Sequence, residues 1–84
     1  MKIPANGIRI NVTDVGRGEP ALVFLHYWGG SSRTWTEVMA LLAADHRCIA
    51  PDHRGWGQSD APARGHDLAD LADDAQAVIE TLAP

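Results

Sequence analysis

The chain has 84 residues, enough for one small domain or a piece of a larger one, and its single cysteine, Cys48, excludes an internal disulfide and a cysteine-rich zinc site. Seven basic residues stand against eleven acidic ones, a net charge of −4, without the basic stripe that nucleic-acid binding requires. No apolar stretch is long enough to cross a bilayer and no secretory leader pattern opens the chain, so the simplest expectation is a cytoplasmic protein with no membrane or nucleic-acid partner.

Asn6-Gly7 favours the positive φ angles of a tight hairpin turn. Ile8, Ile10 and Val12 then alternate with Arg9, Asn11 and Thr13, the period of a half-buried strand. Residues Gly16 to Pro20 read as a loop. Ala21-Leu22-Val23-Phe24-Leu25 follows without alternation, which predicts a short strand covered on both faces, as in a parallel sheet. Thr34 and Glu37 have the spacing of a capping box, and Trp35, Val38, Met39 and Leu42 give the helix after it one apolar face.

Cys48-Ile49-Ala50 is a second buried strand, stopped by Pro51, and residues 51 to 65 form a loop rich in glycine, proline and charge. Leu68, Leu71, Ala72, Ala75, Val78, Ile79 and Leu82 keep helical spacing, with Asp67 placed as the cap and Asp70, Asp73 and Asp74 favouring the positive end. The order is strand, strand, strand, helix, strand, helix. It predicts an α/β fold with a mostly parallel sheet, antiparallel first strands and helices on both faces. A final helix that should return the chain to a further strand makes residues 1–84 the expected amino-terminal part of a single domain.

The residues that carry chemistry follow the two buried strands. Leu25-His26-Tyr27-Trp28-Gly29-Gly30-Ser31 resembles the His-Gly-x-Gly loop after the third strand of α/β-hydrolases. Residues Pro51 to Ser59, Pro-Asp-His-Arg-Gly-Trp-Gly-Gln-Ser, resemble that family's Asp-x-Arg-Gly-x-Gly-x-Ser loop after the fourth. With the Asn6-Gly7 turn and the helix after Asp67 also in place, the resemblance covers nearly the whole chain.

The resemblance implies a hydrolase of small esters or related acyl substrates. A serine nucleophile would sit on a later strand-to-helix elbow, and the backbone N–H of Trp28 would be one oxyanion-hole donor. Tyr27 stands where glycine is usual in the family. No proline follows Trp28, as it commonly does in the epoxide-hydrolase branch, and Trp28 takes the place of the asparagine of a haloalkane-dehalogenase halide site. Both absences point toward ester chemistry. Gly-x-Ser-x-Gly occurs nowhere in these residues, so nucleophile, acid and base are expected outside them. The alternatives are a small-molecule binding or receptor protein on the same fold and a non-catalytic remnant.

No cofactor or metal is implied, and the expected partner is a small-molecule substrate. His26 is expected to brace its loop rather than act as a base, and His46, His53 and His66 to lie on the surface. Asp52 and Arg54 are expected to hydrogen-bond within their loop, and Ser31, Ser32 and Ser59 lack the setting of a nucleophile. Trp35 belongs to the core face of its helix. For Trp56, lining a pocket and covering the core remain equally open. Gly16-Arg17-Gly18 is no dinucleotide fingerprint, since the third glycine and the following helix are missing.

Overall fold

The computed structural model describes residues 1–83. Strands β1 (Lys2–Ala5) and β2 (Ile8–Val15) form an antiparallel hairpin with Ile3 opposite Ile10. Asn6 and Gly7 turn it with φ of 52° and 80°, the geometry a two-residue connection needs to match the strand twist. The alternation holds: Ile10 and Val12 are buried, while Arg9 is exposed.

Four strands make one mixed sheet in the order β1-β2-β4-β3. β4 (Cys48–Pro51) runs antiparallel to β2, with Val12 opposite Pro51, and parallel to β3 (Leu22–Val23), with Leu22 opposite Cys48. Among the described residues the parallel pairing expected of the sheet is therefore confined to β3–β4. The expected strand from Ala21 to Leu25 is also shorter. β3 is bonded on one side only, through Leu22 N–H to Arg47 O at 2.8 Å and Phe24 N–H to Ile49 O at 2.9 Å.

β4 is the centre of the packing because both its faces are covered. Ile49 joins Ile3, Ile10 and Val12 in a core that Val78 of α2 (Leu68–Leu82) closes. Cys48 and Ala50 point the other way, to Met39 of α1 (Thr36–Leu42), with Phe24, Trp35 and Leu42 around them. The two helices thus lie on opposite faces of the sheet, as expected. Ile49 is fully buried, so Ile49→Ala would cost about 2–5 kcal/mol through lost transfer energy and the cavity left behind.

The first helix begins earlier than its sequence suggests. Ser31, with extended backbone, accepts from Arg33 N–H at 3.2 Å, and its own N–H reaches Thr34 Oγ1 at 3.5 Å. Ser32–Trp35 is a 3₁₀ turn that leads into α1, so Thr34 closes the cap instead of opening it. The cap moved because the Gly29-Gly30 turn delivers Ser31, itself a good capping residue, one step ahead of the turn. The cap of α2 is as expected, with Asp67 and Asp70 each accepting the other's backbone N–H.

Between β2 and β3 the chain passes very close to the end of α1. A Cβ on Gly18 would stand 1.9 Å from Asp45 O, so only glycine fits this crossing.

Candidate functional site

Two loops leave the carboxyl ends of the parallel strands β3 and β4 side by side. The first carries His26, Tyr27 and Trp28. His26 is buried, and its ring is held at both nitrogens: Nε2 accepts from His53 N–H at 2.9 Å, which leaves the proton on Nδ1 to be donated to Tyr27 O at 2.8 Å. Tyr27 O also accepts from Gly30 N–H at 2.9 Å. That carbonyl belongs to the same planar peptide as Trp28 N–H, which points the opposite way. Fixing the Tyr27 oxygen therefore fixes the direction of the Trp28 N–H. Neither Tyr27 N–H nor Trp28 N–H has a hydrogen-bond partner among the described residues. The side chains of Tyr27 and Trp28 are two-thirds exposed.

The second loop is organised by two buried charges. Asp52 Oδ1 accepts from Ser32 N–H at 2.6 Å, and Oδ2 accepts from Gln58 N–H and the Asn11 amide, each at 3.0 Å. Burial pushes the Asp52 carboxyl up, but these donors outweigh it and hold the group below the usual carboxylate range. Arg54 grips Asp74 with two bonds, Nε to Oδ2 at 2.6 Å and Nη2 to Oδ1 at 2.7 Å, while Nη1 reaches Gly65 O. Asn6 adds a third donor to Asp74 at 2.9 Å.

Asp52 and Arg54 thus bond within their loop, to Gln58 N–H and Gly65 O, and also reach beyond it. Asp52 ties the loop to β2 and to the start of the α1 turn, and Arg54 ties it to α2. Asp74 was assigned from sequence to the positive helix end, yet it sits in mid-helix, buried, as the partner of Arg54. Gly57 has φ of 53°, and a Cβ there would lie 2.3 Å from Asp52 Oδ2, so this turn admits no side chain.

His53 is the residue that sequence reading misplaced. It is half-buried beside His26, with ring centroids 4.3 Å apart, and its Nε2–H donates to His26 O at 3.2 Å. Burial and the neighbouring His26 hold its imidazole below the ordinary value, against the pull of Asp74 and Asp52. No spacing signal marks such a pair, because its members lie in loops after different strands. Trp56 meets Trp28 edge to face at 5.1 Å, so it supports the exposed aromatic of the first loop. Ser59 donates to Asp52 O at 2.7 Å and accepts from Asn11 N–H at 2.8 Å, a structural hydroxyl. His46 hydrogen-bonds Pro20 O, 26 positions earlier, and His66 bonds Pro62 O while packing against Gly55 of the second loop.

The two loops and the first turns of α2 enclose a cleft of about 360 Å³ lined by Leu25, His26, Trp28, His53, Leu68, Leu71 and Ala72. Its wall is apolar apart from the two imidazoles. Among the described residues no group of three or more His, Cys, Asp or Glu side chains could hold a metal ion. None of their helices is long and apolar enough to cross a membrane.

A mixed sheet covered on both faces, with motif loops at the ends of its parallel strands, defines a layered α/β protein. A family model for the alpha/beta hydrolase fold matches residues 20–84, and the chain belongs to that family. It is 48% identical over 62 residues to an epoxide hydrolase of Caballeronia sordidicola, covering 73% of this chain and 18% of the relative. It is 39% identical to a soluble epoxide hydrolase of Corynebacterium sp. strain C12, covering 92% of this chain and 27% of the relative. The solved structure of an esterase from Exiguobacterium antarcticum superposes with a TM-score of 0.89 at 37% identity, covering 98% of this chain and 31% of that one. The chain thus spans under a third of the length of these relatives, all of them hydrolases by name.

Proposed function

We propose that these residues form the amino-terminal scaffold of a hydrolase for small ester or related acyl substrates. Its serine nucleophile, acid and base would be supplied by another segment. In this reading the substrate carbonyl lies at the rim of the apolar cleft. Serine attack turns that carbonyl oxygen into an oxyanion, and Trp28 N–H stabilises the charge without having to reorient. The observation that carries the reading is the free Trp28 N–H, aimed by a peptide whose carbonyl is held by His26 and Gly30.

The test uses the full-length encoded protein with an activated aryl ester. Trp28→Phe keeps the donor and should retain most of the turnover. Trp28→Pro deletes it and should lower turnover roughly a hundred- to thousand-fold, the usual effect of removing one oxyanion donor, with folding checked by circular dichroism. Near-normal turnover in folded Trp28→Pro protein would place the donor elsewhere.

The names of the two relatives favour a second reading, an epoxide hydrolase. Turnover of styrene oxide with none of the aryl ester would select it. Saturable binding of either compound without turnover would select a binding protein.

A further inference from the structure

The imidazole of His53 lies outside the roles proposed above, although two of its residue's four polar groups are spent on His26. Its backbone N–H donates to His26 Nε2 at 2.9 Å, and its ring Nε2–H donates to His26 O at 3.2 Å. The first bond requires a lone pair on Nε2, so it selects the tautomer that carries its proton on Nδ1. That proton is the one given to Tyr27 O at 2.8 Å, on the peptide whose far side is Trp28 N–H. The second bond holds the carbonyl at the other end of the same two-residue stretch. The stretch from His26 O to Trp28 N is thus clamped at both ends; His53 holds the first clamp directly and reaches the second through His26, which shares it with Gly30 N–H.

We propose that His53 is a positioning residue for the Trp28 N–H, acting through the tautomer of His26 and through the His26 carbonyl. The inference rests on Trp28 being the oxyanion donor. Nothing else in the second loop can replace the ring bond, because Asp52 and Arg54 are committed to Ser32, Gln58, Asn11 and Asp74. Trp56 touches the Trp28 indole and leaves its peptide free to rotate.

The test compares His53→Ala and His53→Gln in the full-length encoded protein, labelled with ¹⁵N and assayed with p-nitrophenyl acetate. Alanine keeps the backbone donor and loses the ring donor, whereas glutamine offers a side-chain N–H at a similar reach. His53→Ala should shift the Tyr27 and Trp28 amide resonances while those of α2 stay in place. It should also lower kcat roughly ten- to a hundred-fold, the scale of effect of a small displacement of a catalytic group. KM should stay within about two-fold, because the donor acts on the transition state. His53→Gln should restore most of both signals.

Unmoved Tyr27 and Trp28 amides in His53→Ala would overturn the proposal with no substrate required. Wild-type kcat in His53→Ala beside a crippled Trp28→Pro would overturn it and leave the oxyanion assignment standing. Near-normal Trp28→Pro turnover would overturn both. If His53→Ala does not fold, His53→Leu, which fills the half-buried space without a donor, takes its place under the same criteria.

Discussion

Asp52 and Gly57 show how a motif can be visible in sequence while its physics is not. The Asp-x-Arg-Gly-x-Gly-x-Ser spacing located the loop, but the partners Ser32, Asn11 and Asp74 lie in other elements and left no local pattern. Asp52→Asn keeps the shape and replaces one acceptor oxygen by a donor. At least one of Ser32 N–H, Gln58 N–H and the Asn11 amide then loses its acceptor, at about 1–3 kcal/mol per buried group. A drop in urea midpoint without a change in slope would report it; an unchanged midpoint would mean that the loop rearranges to satisfy the donors.

The same groups set the response to acid. His53 is held below its ordinary value, so the unfolded chain takes up its proton first and stability should begin to fall as pH drops below about 6.5. Asp14, Asp52 and Asp67 are also held low, Asp14 by Arg47 and Asp67 chiefly by the Asp70 N–H. Their contribution is intact above the unfolded carboxylate value near 3.8 and is lost as pH falls through their lower folded values. Melting temperatures measured between pH 8 and pH 2 should fall in two stages, and His53→Gln should remove the upper one.

At the scale of elements, the periodic segments were the legible ones. The spaced apolar residues of α2 and its Asp67 cap predict the helix as found, although only Leu71, Ala75, Val78 and, in part, Leu82 are covered, while Leu68, Ala72 and Ile79 stay exposed. β3 and the start of α1 were less legible: strand length depends on how many sides are paired, and Ser31 and Thr34 are both acceptable caps. The bond from the second loop to α2 was invisible for a different reason. Asp74 reads as one more polar helix residue until Arg54 and Asn6 close on it.

Arg54→Met leaves the buried Asp74 carboxylate with Asn6 as its remaining side-chain partner and should cost about 3–5 kcal/mol, enough to unfold a domain of this size. Arg54→Met with Asp74→Leu removes both charges and should recover much of that loss. Thermal melts of the three proteins separate the cost of a stranded charge from the worth of the pair. Equal destabilisation of single and double variants would show that the packing, not the charge, was lost.

For the molecule as a whole, the sheet ends in two edge strands, β1 and β3, and the β3 edge is the one beside the motif loops. β3 is the last strand in the order, its outer edge unpaired among the described residues. Leu25, Trp28 and Leu68 stand exposed near that edge. A chain of these 84 residues alone should therefore self-associate, since an open strand edge beside apolar surface templates pairing. Sedimentation showing a concentration-independent monomer with a sharp melt would contradict this. Core and fold class could be read in advance from local patterning, but the open edge depends on strand order, which sequence periodicity does not encode.

The link between Asn6 and Asp74 spans 68 positions, and it has a consequence for synthesis. The β1–β2 hairpin leaves the ribosome well before α2, carrying Ile3, Ile10 and Val12 on one face, but the residue that covers them, Val78, lies in α2. Until α2 emerges the hairpin is a ribbon with a bare apolar side, marginal on its own in water. Nascent chains arrested before α2 has cleared the exit tunnel should stay protease-sensitive and bind chaperones, while those arrested beyond it should be protected together at β2, β4 and α2. The hairpin thus waits on α2 for its cover.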